Sequence, residues 1–151
     1  MPYFSAKSEE KKLTCDKQLQ DILDDAIKVI DFSIICGFRD REEQNDAVRS
    51  GASKLHFPLS RHNSYPSEAV DLAPYWRSSP HIRWGTLHEW AKYPNLGKEY
   101  DTFSEYSKSC IDAFITLSEY IKEIAKSKNI EIVYGGDWKN FKDYPHYELK
   151  K

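Results

Sequence analysis

Cysteine is scarce in this chain and poorly placed for either of its structural uses. Cys15, Cys36 and Cys110 are odd in number, far apart and without a C-x-x-C spacing. The sequence therefore offers neither a disulfide framework nor a thiolate zinc site, and the three read as reduced thiols. An excess of charge of one sign is also missing: 22 Lys and Arg stand against 24 Asp and Glu, a formal net charge of −2 with the signs interspersed. No long-range field favours a polyanion, which argues against nucleic acid as a partner. No apolar run is long enough to span a bilayer, and the N-terminus has no basic region followed by an apolar one. Membrane insertion and classical export are thus not expected, and synthesis in a cytoplasm without a signal peptide is. Internal repeats, low-complexity tracts and linkers are absent too. With 151 residues, 40% of them hydrophobic, the chain from 1 to 151 is expected to form a single domain with its own core, and a monomer is the default.

What is present is periodic. After a charged lead-in, Leu19, Ile22, Leu23, Ala26, Ile27 and Ile30 recur at the helical interval, with Thr14 or Asp16 available as N-cap. Ile30 to Cys36 turns β-branched and aromatic and stops at Gly37, which predicts a strand. Arg41 to Arg49 reads as a short surface helix, and 51–66, with its Gly, Pro, Ser and Asn, as an ordered loop of functional length. Ala69 to Ala73 is a strand stopped by Pro74. Alternation sends Val70 and Leu72 to the core and leaves Asp71, with Ala69 and Ala73, on an opposite, open face.

The aromatic-dense stretch from Tyr75 to Asp101 allows a short helix through Ile82, Trp84, Leu87, Trp90 and Ala91. Its tryptophans read as packing rather than as a glycan platform. Phe103 to Ala125 keeps helical spacing for the longest element. Ile130 to Val133 reads as a strand, Tyr134 to Trp138 as a turn and Tyr144 to Leu149 as a last strand. Strands and helices do not alternate in a βαβ manner, so the expected class is α+β, a small, mainly antiparallel sheet packed against helices.

Two residues in the middle of the chain have the chemistry of metal ligands. His62 lies in the turn-prone run. Asp71 lies inside Ala-Val-Asp-Leu-Ala, where a carboxylate is costly to bury unless something positive meets it. The pair alone is equally readable as a loop histidine and a water-facing aspartate. The closing stretch Asp143-Tyr144-Pro145-His146-Tyr147-Glu148-Leu149 adds a third candidate, His146, with Glu148 on the same face of its strand. The bend before Pro145 can turn Asp143 back toward His146. Two histidines and a carboxylate with an open fourth position make the usual catalytic zinc arrangement, and a further carboxylate nearby can serve as base to the water. On this reading His62, Asp71 and His146 hold Zn²⁺ and Asp143 is the general base. A cysteine peptidase built on Cys36 is disfavoured, because that residue falls in a strand expected to be buried, with no helix N-terminus after it. His56, His81 and His88 have no placed partners and read as surface or packing histidines.

These residues belong to a longer ordered pattern. Asp31-Phe32-Ser33-Ile34 leads to Gly37-Phe38-Arg39 and Glu43-Gln44, followed by Ser60-x-His62-Asn63-x-x-Pro66-Ser67-x-Ala69-Val70-Asp71 with Pro74-Tyr75. Gly135-Gly136-Asp137-Trp138 then precedes Asp143-x-x-His146-Tyr147-Glu148-Leu149. The whole resembles the zinc peptidases that include D-alanyl-D-alanine dipeptidases and carboxypeptidases. It is most similar to the phage-endolysin branch, which cleaves between L-alanine and D-glutamate in peptidoglycan stem peptides. The resemblance implies a Hedgehog/DD-peptidase fold, Zn²⁺ as cofactor and a bacterial peptidoglycan stem peptide as substrate. It also implies synthesis in a host bacterium and action on the cell wall.

By the same resemblance, Arg39 stabilises the developing oxyanion or holds a substrate carboxylate. Ser60, Asn63, Gln44, Trp138 and Glu148 would shape the cleft or accept the second ring N–H of the ligating imidazoles. Taken without it, Arg39 reads as an ordinary surface ion pair and Glu148 as equally a solvated carboxylate. Two features depart from the compact family form S-x-H-x-x-G-x-A-x-D: the spacing from His62 to Asp71 is longer, with Ser67 in place of Gly, and the base is Asp143 where many relatives carry Glu. The alternatives are a D,D-carboxypeptidase or dipeptidase with the same metal site, and a non-catalytic zinc-containing wall-binding module, which would need the ligands but not the base.

Overall fold

The computed structural model describes residues 2–150. Four strands, β1 (Phe32–Cys36), β2 (Ala69–Pro74), β3 (Ile132–Tyr134) and β4 (His146–Leu149), form one sheet. Their order is β1-β2-β4-β3, and every neighbouring pair is antiparallel. The helices are α1 (Ala6–Lys12), α2 (Lys17–Ala26), α3 (Arg41–Arg49), α4 (Leu87–Lys92), α5 (Leu96–Glu99) and α6 (Phe103–Ser127). The α+β class with a small antiparallel sheet is as the sequence predicts.

One face of the sheet carries the core. Register places Ile34 opposite Leu72, Val70 opposite Tyr147 and Ile132 opposite Leu149, so these side chains share that face. Helices α2 and α6 cover it, through Leu19, Ile22, Leu23 and Ala26 of one and Leu117, Ile121 and Ala125 of the other. Asp16 caps α2 by accepting from Gln18 N, and Thr102 caps α6 by accepting from Glu105 N, each satisfying a backbone donor that the first helical turn leaves free.

The second face carries polar residues. Ala69 stands opposite Glu148 and Asp71 opposite His146. A β-bulge between Ile34 and Cys36 brings Cys36 opposite Asp71. Strict alternation would have kept Cys36 on the core side with Phe32 and Ile34, and the extra residue of the bulge turns it over.

Several expectations are corrected. The charged lead-in is a helix, α1, capped by Ser5. Its Lys12 is buried between Asp24 and Glu9, both at 2.7 Å, and its Ser8 Oγ accepts from Ile34 N (2.9 Å), covering the free edge of β1. Helix α2 ends at Ala26, because Val29 and Ile30 both return their N–H groups to Ala26 O. β1 accordingly starts at Phe32 and not at Ile30. β3 likewise starts at Ile132, and β4 starts at His146, since Asp143 to Pro145 form a turn in which Asp143 O accepts from His146 N (3.1 Å). The helix expected from Ile82 begins at Leu87, while Ile82 itself makes a bridge to Tyr75. The loop 51–66 contains a 3-10 turn, Arg61–Asn63. Finally, the face bearing Asp71 is not open: Ala69 and Ala73 are wholly buried. The loop carrying His62 folds back over it, tied by Arg39 N to His62 O (2.8 Å).

Candidate metal centre and cleft

His62 enters the site from the 3-10 turn. Ser60 Oγ accepts from His62 N (3.2 Å), and Asn63 Oδ1 accepts from Ser60 N (3.0 Å). Between His62 and Asp71 the chain reaches the surface at Tyr65, which lies exposed with its ring edge-on to Phe38. Ser67 is wholly buried, and its hydroxyl bonds Ala69 O (2.7 Å) and Gly37 O (3.3 Å), so the serine stitches the loop to β2 where the compact form has glycine. The His62 ring is only 2% exposed. Its Nδ1 donates to Gly37 O (2.7 Å), which fixes the proton on Nδ1 and leaves the Nε2 lone pair pointing inward. That Nε2 is buried without a hydrogen-bond partner, 3.3 Å from Asp71 Oδ1. Two acceptors face each other there unless a proton or a metal ion stands between them.

His146 repeats the arrangement from the other side. Its Nε2 donates to Glu148 Oε1 (2.7 Å), and its Nδ1 lies 3.2 Å from the same Asp71 Oδ1. The two imidazole centroids are 5.2 Å apart, and Trp138 packs 5.2 Å from the His146 ring. Cys36 completes the neighbourhood: donor atoms of Cys36, His62 and Asp71 lie within 4.8 Å of one another. Its sulfur is 3.8 Å from Nδ1 of His62, the nitrogen already committed to Gly37. The sequence alone disfavours Cys36 at the site, because the bulge that turns it to this face has no signature in Ile34-Ile35-Cys36.

Arg39 is no surface ion pair. Its side chain is 13% exposed, with Nη2 3.6 Å from Asp71 Oδ2. Nη1 donates to Gln44 Oε1 (2.9 Å), which also accepts from Asn63 Nδ2 (3.1 Å). Gln44 is wholly buried, and its amide nitrogen donates to Leu55 O (2.6 Å) and Ser53 Oγ (3.0 Å). Glu148 is likewise engaged, facing His146 and, at 3.7 Å, Arg61.

Charge is concentrated in this small volume. Burial alone would lower the imidazoles, but the carboxylates outweigh it: Asp71 pushes His62 up to about 10, and Asp71 with Glu148 pushes His146 up to about 9. Burial would raise Asp71, yet the two rings hold it far below the ordinary carboxylate range. Asp143 goes the other way. Burial and the charge of Asp71 raise it, against the smaller pull of His146, His62 and Arg39.

A buried, unpartnered imidazole nitrogen and two rings converging on one carboxylate oxygen form a donor set suited to a divalent transition ion. The site opens into a cleft of about 390 Å³, whose walls include Arg39, Lys54, Trp84, Trp138, Phe141 and Asp143. Trp84, expected as packing, is half exposed on this wall with its inner face on Phe114. Trp90 does pack, against Phe103 and Tyr106. His81 is exposed and stacks on Tyr75 at the surface.

Residues 1–99 match the family described as phage L-alanyl-D-glutamate peptidase. Residues 56–149 match the family described as D-alanyl-D-alanine carboxypeptidase. Both matches include His62 and Asp71, and the second runs on through Asp143 and His146. Among solved structures the chain is similar to the L-Ala D-Glu endopeptidase ChiX of Serratia marcescens, with 25% sequence identity and a TM-score of 0.67 over 97% of this chain and 89% of that one. Sequence families, fold and a metal-competent cleft agree: the chain belongs to the phage L-alanyl-D-glutamate peptidase family, among the metallopeptidases related to D-alanyl-D-alanine carboxypeptidase.

Proposed function

We propose that this chain hydrolyses the L-alanyl-D-glutamate bond of bacterial peptidoglycan stem peptides, using Zn²⁺ held by Nε2 of His62, a carboxylate oxygen of Asp71 and Nδ1 of His146. The supporting observation is the convergence of those two nitrogens, at 3.3 and 3.2 Å, on Asp71 Oδ1. Each ring's other nitrogen is occupied by Gly37 O or Glu148 Oε1. Cys36 lies against the committed edge of His62, which favours His146 as the third donor.

Bound there, zinc supplies Lewis acidity to the scissile carbonyl and to a water molecule. Asp143 lines the cleft and makes no side-chain hydrogen bond among the described residues. Its carboxylate is therefore free to take a proton from water, and its raised proton affinity suits it to hand that proton to the leaving amine. Arg39, braced by Gln44, presents its guanidinium where negative charge develops on the carbonyl oxygen. Glu148 and Gly37 O fix the ring orientations, and Trp138 walls the His146 side against water.

As a lysis enzyme of phage type, the protein would be made in the host cytoplasm and act as a monomer on the wall. Among the described residues no helix is long and apolar enough to cross a membrane.

Digestion of purified peptidoglycan by the zinc-loaded protein, with the new termini identified by mass spectrometry, tests this reading. New N-terminal D-glutamate is expected. Release of free D-alanine alone would instead make the protein a D,D-carboxypeptidase, and no hydrolysis would favour the wall-binding module. Asp143→Ala is expected to keep stoichiometric zinc while losing about 10²- to 10⁴-fold in kcat. An active variant would remove Asp143 as the base.

A further inference from the structure

Among the described residues, one cation of the cleft, Lys54, faces no carboxylate. Arg39 faces Asp71 at 3.6 Å, and Arg61 faces Glu68 and Glu148, both at 3.7 Å. Lys54 lines the same cleft and, among the described residues, has no ion-pair partner. Its ammonium lies instead 4.5 Å over the ring of Phe141. An aromatic face attracts a cation without occupying its N–H donors, so the charge is held in place and left available.

Lys54 is also firmly placed. The carbonyl of Leu55, the next residue, accepts from the buried Gln44 amide, as does Ser53 Oγ on the other side. Phe57, further along the loop, packs under the guanidinium of Arg41 at 4.7 Å. Gln44 grips Arg39 through its other amide atom, so one buried side chain sets Lys54 and Arg39 in register. On the far wall, Phe141 stands two residues before Asp143. The ammonium thus bridges the loop tied to Arg39 and the segment carrying the candidate base.

Substrate chemistry gives this cation a task. Glutamate has two carboxyl groups. When its amino group is joined to alanine, at most one of them continues the peptide, and the other stays as a free carboxylate on the residue that follows the scissile bond. Asp71, Asp143 and Glu148 all line the same cleft, and its two arginines are already committed to carboxylates, Arg39 to Asp71 and Arg61 to Glu148. An entering carboxylate needs a counter-cation there, or it meets like charge and an uncompensated loss of water.

We propose that Lys54, seated on Phe141, receives the free carboxylate of the D-glutamyl residue and so selects acidic stem peptides over those in which that group is an amide. The inference rests on the L-alanyl-D-glutamate reading above. Two synthetic peptides that differ only in this group, free acid or carboxamide, provide the test with the zinc-loaded enzyme. The wild type is expected to favour the acid by about tenfold or more in kcat/KM, chiefly through KM, as for binding that acts on ground and transition states alike. Lys54→Met is expected to bring the ratio close to one, and Lys54→Arg to restore most of it. Zinc content and Tm are expected to stay at wild-type values in both variants, since Lys54 is exposed at the rim. A Lys54→Met enzyme that keeps the acid preference, or that loses both peptides equally, would overturn the assignment. A wild type that cleaves both peptides without preference removes the role of Lys54 and leaves the L-alanyl-D-glutamate reading standing. One that cleaves neither removes that reading, and this subsite with it.

Discussion

Nε2 of His146 lies 2.7 Å from Oε1 of Glu148, its neighbour two residues along the same strand. Strand alternation puts both on one face, and the bond turns the ring so that Nδ1 looks at Asp71. Removing the carboxylate frees the ring to rotate and lowers its basicity. Glu148→Ala is expected to weaken zinc binding by about 10- to 100-fold without abolishing it, as read by competition with a chromogenic chelator. Unchanged affinity would mean that His146 is oriented by its packing against Trp138 alone.

Metal uptake is expected to be coupled to protons. In the metal-free protein His62 is raised to about 10 and His146 to about 9, from an ordinary 6.5. Without a metal, the shared Asp71 carboxylate thus favours the protonated form of both rings. The stabilisation from their contacts with Asp71 is complete below the unfolded value and is lost as pH rises through about 9 to 10. The depressed Asp71 acts at the other end, its contribution being lost as pH falls below the ordinary carboxylate range. Zinc must displace the ring protons, so binding at pH 7 is expected to release about two protons. Titration calorimetry in buffers of different ionisation enthalpy measures this directly, and a release near zero would show that the rings are neutral before the metal arrives.

Gly135 packs against the candidate base and one candidate ligand together. A Cβ at this position would come within 2.5 Å of Asp143 O and 3.0 Å of both Asp143 Cβ and His146 Cβ. The clash involves backbone, so relief requires the turn itself to move. Gly135→Ala is expected to cost about 1 to 3 kcal/mol of stability and to weaken zinc binding and turnover together. Gly97, with nothing within 4 Å of its added Cβ, is the control. If Gly135→Ala melts and binds zinc as Gly97→Ala does, the packing explanation fails.

How far the sequence could be read depended on the range of each interaction. Helix α6 and strand β2 are visible because their apolar spacing is local, and the same alternation that sends Val70 and Leu72 inward leaves Asp71 facing the site. His62, Asp71 and His146 stand out as metal-binding residue types placed in a turn and in strands. Helix α1 has no legible period, because its only apolar residue is Ala6. It is held by Lys12 with Asp24 and by Ser8 with Ile34, contacts that no local period encodes. Gln44 could be picked out only by resemblance; its burial at the junction of Arg39, Asn63 and Leu55 comes from the fold. The approach of Cys36 to Asp71 depends on a bulge, and the seat of Lys54 on Phe141 joins residues 87 positions apart.

That bulge leaves a choice of third donor that experiment can resolve. Cys36 Sγ, His62 and Asp71 form the compact group, yet the sulfur flanks the His62 nitrogen that already donates to Gly37 O. His146 Nδ1 lies as near to Asp71 Oδ1 (3.2 Å) as His62 Nε2 does (3.3 Å). Cys36→Ala is therefore expected to retain one zinc per chain with affinity lowered less than about tenfold, whereas His62→Ala and His146→Ala each lose about 10²-fold or more, as for removal of a metal ligand. Cobalt substitution gives an independent view, because a thiolate bound to Co²⁺ produces an intense near-ultraviolet charge-transfer band. The wild-type cobalt protein is expected to lack this band. Its presence, together with its disappearance in Cys36→Ala, would put sulfur in the coordination sphere, and zinc retained at wild-type affinity in His146→Ala would then make Cys36 the third donor in place of His146.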